Sequence, residues 1–257
     1  MTQLRMPALV WLVFALVAAA HADGPTIRLG TGPAYPPFSD IQMVRPGVAT
    51  QLVTRVFERL GYSVDIRRQP WNRLMREARN LELAAIYPYV LTPEREEDFL
   101  ASDPLFDTKL RFFSLAETAG NLDFGSTVDP LRLCRPNGFA LDEGLQPYLS
   151  DHDEIRWFRP NSLESCFLML ARERVDLVPT NLATGHYILQ RSFDSPPDIQ
   201  TLKLFEEDAS LHLLVPRAWP RAEIFLARFN EELARVRRSE AGQRVLEQMD
   251  PFPSEPP

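Results

Sequence analysis

The stretch of sequence that decides the fold is residues 26–89, TIRLGTGPAYPPFSDIQMVRPGVATQLVTRVFERLGYSVDIRRQPWNRLMREARNLELAAIYPY. Short β-rich segments alternate here with segments of helical periodicity. The pattern predicts strands over Thr26–Thr31, Ser63–Arg67 and Leu83–Tyr89, with helices over Gly47–Gly61 and Asn72–Asn80. This alternating order favours parallel strands, and therefore an α/β fold. In such sheets, ligands bind beyond the carboxyl ends of the strands.

The first predicted helix carries a single apolar stripe. Its members recur at helical spacing and are expected to face the core: Val48, Leu52, Val53, Val56, Phe57 and Leu60. Gly61 follows the helix, at a position where a glycine of positive φ is common. Asn72 is a candidate N-cap for the second helix, because asparagine side chains accept hydrogen bonds from the first helical turn.

A second unit of alternating strands and helices begins at residue 130. The predicted strands are Pro130–Cys134, Glu154–Phe158, Val175–Pro179 and Ser210–Val215, and the predicted helices are Ser162–Arg172, Leu182–Gln190 and Arg221–Met249, the last with a break near Ser239–Gly242. Residues 252–257 form a proline-rich tail that is expected to fray. Because the two halves share an element order, the sequence predicts two similar lobes.

Composition and charge exclude several classes of protein. The chain has 257 residues, of which 45% are hydrophobic and 25% charged, as is ordinary for one large globular domain or two lobes. A net charge of −7 argues against a nucleic-acid partner, since such proteins carry a basic surface. Two cysteines and four histidines leave few ligands for a zinc site, and no cofactor is expected.

The first 22 residues predict a secretory signal peptide. Arg5 supplies positive charge, residues 7–20 (PALVWLVFALVAAA) are apolar, and Ala20-His21-Ala22 matches an A-x-A cleavage site. An uncleaved anchor is the alternative, but the apolar run is short for a bilayer. Cleavage would leave residues 23–257, which we expect to be soluble because no later segment approaches about 18 apolar residues.

The two cysteines, Cys134 and Cys166, are expected to form a disulfide bond. A secreted protein meets an oxidising environment, in which free thiols are a liability. Two separate buried thiols are the alternative. A bond that closes this loop would stabilise the fold by about 3–4 kcal/mol, through the entropy lost from the unfolded chain.

Candidate ligand-binding side chains lie just beyond the predicted strand ends of the first half. They are Tyr35, Phe38, Trp71, Tyr87, Tyr89, Thr92 and Arg95. The aromatic rings either cover an apolar part of a ligand or pack in the core. The guanidinium of Arg95 fits a carboxylate bidentately, and a surface ion pair with Glu96 or Glu97 is the alternative.

Two features of the second half favour an anionic group. Residues Arg135–Phe139 follow a predicted strand, and backbone N–H groups in such a turn can receive an anion. Ser162 begins a predicted helix, whose N-terminus also attracts negative charge. Simple capping of the helix is the alternative role for this serine.

Several short motifs follow one another in a fixed order: Ala34-Tyr35-Pro36-Pro37-Phe38, Leu60-Gly61, Trp71 at a helix start, Leu91-Thr92-Pro93-Glu94-Arg95, Ser102-Asp103-Pro104-Leu105-Phe106 and Arg174-Val175-Asp176-Leu177. With these motifs the chain resembles the bacterial family 3 extracellular solute-binding proteins, which are periplasmic receptors of the polar-amino-acid type. The resemblance covers nearly the whole predicted mature chain. It implies a two-lobed periplasmic binding protein fold, a Venus-flytrap clamp in which each lobe is a mainly parallel sheet flanked by helices and two strands form the hinge.

The resemblance also implies a division of the chain. The first lobe would comprise residues 23–107 together with 207–257, and the second lobe residues 108–206. The hinge strands would lie near Lys109–Leu115 and Phe205–Leu213. Ligand binding between the lobes would shift the population toward the closed clamp, which a transporter or a sensor would recognise.

The resemblance implies an arginine that binds the ligand, but this chain departs from the family pattern at other ligand-binding positions. In the family, the arginine of a T-x-x-R pattern receives the ligand α-carboxylate, and Thr92-Pro93-Glu94-Arg95 matches that pattern. Amino-acid binders also place an acid after the second-lobe strand to hold the ammonium, whereas this chain has Asn181 there. Pro88 and Val90 stand where the family often has hydroxyls. A carboxylate-bearing or neutral polar solute is therefore expected at least as much as an α-amino acid.

The predicted function is periplasmic binding of a small polar solute, by a monomer without catalysis, for delivery to an ABC-type transporter. Arg135, Ser162 and Asn181 would close on the ligand from the second lobe. A dehydratase-type enzyme on the same fold and a free receptor for a separate membrane sensor are the alternatives. No G-x-S-x-G or H-E-x-x-H motif supports an enzyme.

Overall fold

The computed structural model describes residues 24–249 with the exception of 41, 42, 44, 122–129, 140–154, 196 and 203–206. Its strands are β1 Thr26–Thr31, β2 Ala34–Tyr35, β3 Ser39–Asp40, β4 Ser63–Arg68, β5 Ala85–Val90, β6 Phe99–Ala101, β7 Phe106–Leu115, β8 Leu131–Cys134, β9 Ile155–Phe158, β10 Val178–Asn181, β11 Ile199–Thr201 and β12 Glu207–Pro216. Its helices are α1 Val48–Arg59, α2 Trp71–Arg79, α3 Pro93–Asp98, α4 Ala116–Asn121, α5 Leu163–Leu170, α6 Leu182–Ser192, α7 Ala222–Arg238 and α8 Glu240–Leu246, followed by a 3₁₀ turn over Glu247–Met249. The predicted signal peptide and the proline-rich tail lie outside the described residues.

The first three long strands are parallel, which confirms the sequence prediction. Strand β1 lies between β4 and β5, with Thr26 paired with Ser63 and Leu29 paired with Ala85. The carboxyl ends of the three strands therefore lie at one edge of the sheet, and the segments that follow them begin there.

The apolar stripe of α1 faces the core as predicted. Val53, Val56 and Phe57 are fully buried, while Leu60 is only partly buried. Helix α7 returns from the end of the chain to pack on α1, and the rings of Phe57 and Phe229 lie 5.3 Å apart. The predicted glycine beyond α1 is also confirmed, since Gly61 has a φ of 87°.

Two long strands pass between the lobes. Strand β12 pairs antiparallel with β5 in the first lobe and with β7 along the facing segment, from Glu207 opposite Leu110 to Leu211 opposite Phe106. Strand β7 then pairs with β10 and β11 in the second lobe. The two strands cover the hinge regions expected from the sequence, apart from residues 205 and 206, which lie outside the described residues.

The second lobe is built around β8, β9 and β10. Strands β8 and β9 are parallel, and Leu133 forms a parallel bridge with Leu177, just before β10. Helix α5 packs beside them through the predicted disulfide, which joins Cys134 at the end of β8 to Cys166 in α5 with a Cα–Cα distance of 5.4 Å.

Two local predictions differ from the structure. Asn72 is not an N-cap, because α2 starts one residue earlier at Trp71 and Pro70 is the cap residue. The Pro70 carbonyl accepts from the Leu74 backbone N–H at 3.1 Å, so the first helical hydrogen bond already begins at Pro70. Strand β10 begins at Val178 rather than Val175, since the chain before it forms only the bridge to Leu133. The predicted break in the C-terminal helix is confirmed at Ser239.

Candidate functional site

A cavity lies between the lobes, at the carboxyl edge of the first sheet and against the two crossing strands. Its volume is about 60 Å³, as the space open to the centres of water molecules. The first lobe contributes Tyr35, Trp71, Pro88, Tyr89, Val90 and Arg95; the crossing strands contribute Thr108, Leu110, Ala209 and Leu211; the second lobe contributes Arg135, Gly138, Phe139, Pro179, Thr180 and Asn181. Since one water needs roughly 10–15 Å³ of such space, the cavity holds about four to six waters, or a small solute of similar bulk.

The start of helix α3 positions Arg95. Thr92 caps the helix by accepting a hydrogen bond from the Arg95 backbone N–H at 3.4 Å, and Pro93 opens the first turn. The Arg95 side chain folds back toward β5, where Nη1 donates to the Val90 carbonyl at 2.5 Å and the guanidinium carbon lies 5.0 Å from the centre of the Tyr89 ring. These contacts hold the guanidinium in the cavity wall.

Four aromatic rings form the apolar part of the wall. Trp71 contacts Tyr35, Tyr89 and Phe139 at centroid distances of 5.8, 5.1 and 5.9 Å, each edge to face. Phe139 also meets Tyr35 edge to face at 5.5 Å. Because Phe139 follows β8 whereas the other three belong to the first lobe, this cluster joins the two lobes as well as lining the cavity.

A buried hydrogen bond also joins the lobes. Asn181 Nδ2 donates to the Tyr35 hydroxyl at 2.6 Å, and Asn181 Oδ1 accepts from the Thr184 backbone N–H at 2.8 Å, which caps α6. Burial raises the pKa of Tyr35, so the phenol is neutral at physiological pH. The amide is therefore held at both ends, and Asn181 links the end of β10 to the first lobe.

Arg135 enters the cavity from the second lobe. Its backbone N–H donates to the Phe158 carbonyl at 3.0 Å, and its guanidinium carbon lies 5.2 Å from the centre of the Trp157 ring. Among the described residues, the buried Nε and Nη1 atoms have no hydrogen-bond partner. Burial lowers the pKa of Arg135 to about 10, and the charges of Arg159 and Arg95 act in the same direction. The guanidinium still carries its charge at neutral pH, at a cost in free energy that an anion would offset.

Some predicted site residues lie outside this cavity. Phe38 and Tyr87 are fully buried in the core, and the Tyr87 hydroxyl lies 3.5 Å from Thr50 Oγ1 on α1. Thr92 acts as the cap of α3. Ser162 caps α5 by accepting from the Ser165 N–H at 3.2 Å, and it lines a separate cavity of about 250 Å³. The structure places these four residues outside the described lining of this cavity: two pack in the core, and two have hydroxyl groups engaged in helix capping.

The remaining predicted residues meet at one place, together with several that sequence reasoning did not select. Tyr35, Trp71, Tyr89, Arg95, Arg135 and Asn181 all line the cavity. Thr108 and Phe139 were not selected from the sequence, although the first directly precedes a predicted hinge strand and the second closes the predicted turn. Thr108 Oγ1 is buried and has no hydrogen-bond partner among the described residues.

The described part of the chain shows no cluster of metal-ligating side chains. No group of three or more histidine, cysteine, aspartate or glutamate side chains within it is arranged to hold a metal ion. Within the same residues, we find no helix with the length and apolar character needed to cross a membrane.

Two α/β lobes linked by crossing strands, with a cavity between them, define the clamp fold of the periplasmic binding proteins. The family model of the bacterial extracellular solute-binding proteins, family 3, matches residues 27–248. The chain belongs to this family, as its motifs suggested. No curated protein sequence is similar enough to count as a relative.

Solved structures share the fold at low sequence identity. The ancestral amino acid-binding protein AncCDT-1, a precursor of cyclohexadienyl dehydratase, is 17% identical with a TM-score of 0.71, over 89% of this chain and 96% of that chain. The arginine-, lysine-, histidine-binding protein ArtJ from Geobacillus stearothermophilus is 16% identical with a TM-score of 0.71, over 90% and 96%. A histidine kinase sensor domain with similarity to periplasmic binding proteins is 18% identical with a TM-score of 0.68, over 88% and 96%.

Proposed function

We propose that this protein binds a small carboxylate-bearing solute in the cavity between its lobes, in the periplasm, and delivers it to an ABC-type transporter. The observation that carries the proposal is the wall of that cavity. It contains the guanidinium of Arg95 and no aspartate or glutamate among the described lining residues. A guanidinium that is oriented by Val90 and Tyr89 and faces a largely apolar cavity favours a planar anion.

Binding without catalysis is supported by the same lining. General acid–base catalysis needs a group that exchanges a proton near neutral pH. The described wall contains no histidine, cysteine, lysine, aspartate or glutamate. Tyr35 and Tyr89 are its weak acids, and burial raises the pKa of each. We therefore favour a receptor over the dehydratase-type enzyme, although one similar structure is a dehydratase precursor.

Location, lobe boundaries and partners belong to the same proposal. A signal peptide over residues 1–22 would direct the chain to the periplasm, where it would act as a monomer. The first lobe would comprise residues 23–107 and 207–257, in keeping with the packing of α7 on α1. The likeness to a sensor domain favours a separate membrane sensor as the second candidate partner.

A ligand screen on residues 23–257 tests the proposed function. Amino acids, carboxylates and small amines would be compared by thermal shift, followed by titration calorimetry of the hits. A carboxylate at 100 times its Kd is expected to stabilise the fold by about 2.7 kcal/mol. For a chain of this length, that stabilisation raises the Tm by about 5–10 °C. Binding of amines but not carboxylates would contradict the proposal, and turnover of a bound compound would show an enzyme.

Closure of the clamp can be tested at Gly138. A Cβ atom there would lie 2.8 Å from Trp71 Cβ and 2.9 Å from Asn72 Oδ1, both in the opposite lobe. We expect Gly138→Ala to disfavour the closed contacts and to weaken binding of the ligand found in the screen by about tenfold, since only the closed clamp binds fully. Calorimetry gives the affinity, and small-angle scattering with ligand gives the degree of closure.

Gly61→Ala is the matched control for this variant. Gly61 has nearly the same positive φ, 87° against 83° for Gly138, but no atom lies within 4 Å of the position that an added Cβ would occupy. Both variants therefore carry a similar backbone cost of about 1–2 kcal/mol, whereas only Gly138→Ala meets the other lobe. Equal affinities for the two variants would show that the contact at Gly138 plays no part in binding.

A further inference from the structure

The cavity wall contains a second guanidinium, that of Arg135, in addition to that of Arg95. Arg135 lines the cavity from the second lobe, and its Nε and Nη1 atoms are buried without a hydrogen-bond partner among the described residues. Buried donors in native proteins are nearly always paired, so unpaired donors on a side chain that lines a ligand cavity indicate a place for an acceptor. A carboxylate oxygen is an acceptor that either donor can use.

Arg95 and Arg135 line the same small cavity from opposite lobes. They are close enough for the charge of Arg95 to act on the pKa of Arg135. A ligand in the cavity therefore meets positive charge from both lobes. Two like charges in a partly desolvated cavity repel each other, and a ligand with two negative charges removes that repulsion.

The other lining groups indicate what joins the two anionic groups. Tyr35, Trp71 and Phe139 present aromatic surface, and Leu110 and Leu211 present aliphatic surface. A small inorganic anion would leave this surface unused, whereas a short carbon chain would cover it. The buried Thr108 hydroxyl adds one more group that can donate to a carboxylate oxygen.

An ammonium group has no matching partner in the described wall. Asn181 Nδ2 donates to Tyr35 and Asn181 Oδ1 accepts from the Thr184 N–H, so its amide is already engaged. No aspartate or glutamate stands among the described lining residues. Burial of an ammonium next to two guanidinium groups would cost free energy through both desolvation and repulsion.

We infer that the ligand is a small dicarboxylate without an ammonium group, held by Arg95 from the first lobe and by Arg135 from the second. This inference rests on the proposed function and deepens it. Arg135 is then a second anchor for the ligand, and its contact with the distal carboxylate forms only when the lobes close.

The test uses ligands of matched carbon number. Binding of succinate, butanoate and L-aspartate to residues 23–257 would be measured by calorimetry at one fixed ionic strength. Succinate is expected to bind at least about tenfold more tightly than butanoate, because a charge-assisted contact is worth about one to two decades in affinity. It should also bind at least about tenfold more tightly than L-aspartate, which adds the unmatched ammonium.

Variants of the two second-lobe arginines near Trp157 assign the effect to one side chain. Arg135→Gln is expected to lower the affinity for succinate by about 10- to 100-fold and the affinity for butanoate by less than about threefold. Arg159→Gln is the matched control, since Arg159 also lies 5.2 Å from the Trp157 ring but is exposed and does not line the cavity. Its succinate affinity should stay within about twofold of the wild type. The Tm of each ligand-free variant verifies folding, and Arg135→Gln should not lower it, because a partly desolvated charge is removed.

A third variant changes the charge of the wall without changing its shape. Asn181→Asp keeps an acceptor for the Thr184 N–H and can accept from the Tyr35 hydroxyl, but it adds a negative charge to the cavity. This variant should lower the affinity for succinate more than the affinity for L-aspartate, so the two affinities should become more similar.

The outcomes separate this inference from the proposed function. If butanoate or L-aspartate binds as tightly as succinate, or if Arg135→Gln weakens butanoate and succinate equally, the dicarboxylate inference is wrong while the carboxylate receptor stands. If none of the three ligands binds and the wider screen finds no carboxylate, both are wrong. Tight succinate binding that depends on Arg135 and not on Arg159 supports both.

Discussion

Replacement of Cys134 and Cys166 together by alanine is expected to lower the free energy of unfolding by about 3–4 kcal/mol. The bond joins residues 32 apart in sequence, and the loop-entropy relation gives about this value for a loop of that length. For a chain of this length the loss corresponds to a fall in Tm of about 7–15 °C. Urea denaturation of the wild-type and double-variant proteins measures the change directly.

Reduction of the wild-type protein provides the control for this prediction. The two cysteines are the only ones in the sequence, so a reducing agent breaks this bond alone. Both residues are fully buried. Reduced wild type and the alanine double variant should therefore unfold at similar denaturant concentrations, apart from the small cost of the lost sulfur atoms. An unchanged midpoint under reducing conditions, with the thiols shown to be free, would contradict the prediction.

The second large effect is expected at Arg95. Arg95→Gln should lower the affinity for the carboxylate ligand found in the screen by about 30- to 100-fold, because the substitution leaves the buried carboxylate without its charged partner. Arg95→Lys should recover only part of the loss, since an ammonium group cannot form the two parallel hydrogen bonds of a guanidinium. Calorimetry on the three proteins gives both differences.

A surface arginine of the same lobe serves as the control. Arg79 also lies over an aromatic ring, that of Phe99 at 5.8 Å, but it pairs with Asp98 and is absent from the cavity wall. Arg79→Gln should leave affinity within about twofold of the wild type. An Arg95→Gln protein that keeps its fold and binds as tightly as Arg79→Gln would overturn the assignment of Arg95 as the anchor.

Local sequence pattern was sufficient for the framework of the first lobe. The period of the α1 stripe and the β-rich segments on either side depend on neighbours within one or two turns, and the structure confirms them. Boundaries were less predictable where a proline intervened. Asn72 has the right chemistry for a cap, but Pro70 lies upstream and the helix begins at Trp71.

The different positions of Tyr87 and Tyr89 could not be predicted from the alternation of residues along the strand. Two residues apart on a regular strand, they should share one face. Here His212 pairs with Tyr89 and Leu214 pairs with Ile86, so Tyr87 and Pro88 together stand opposite Leu213. Such a bulge adds one residue and breaks the alternation. Tyr87 therefore reaches Thr50 in the core, whereas Tyr89 lines the cavity beside Arg95.

By itself, the sequence determined the order of strands and helices, the family, the pairing of the two cysteines and the T-x-x-R segment that carries Arg95. All but the pairing depend on short patterns, and the pairing depends on the number of cysteines. Only the tertiary structure decided which aromatic rings leave the core, and that the side chain of Arg135, rather than its backbone turn alone, enters the cavity. Those features arise from contacts between distant parts of the chain, such as the hydrogen bond of Tyr35 with Asn181, 146 residues away. No local periodicity encodes such contacts, because they form only when both lobes are folded and meet.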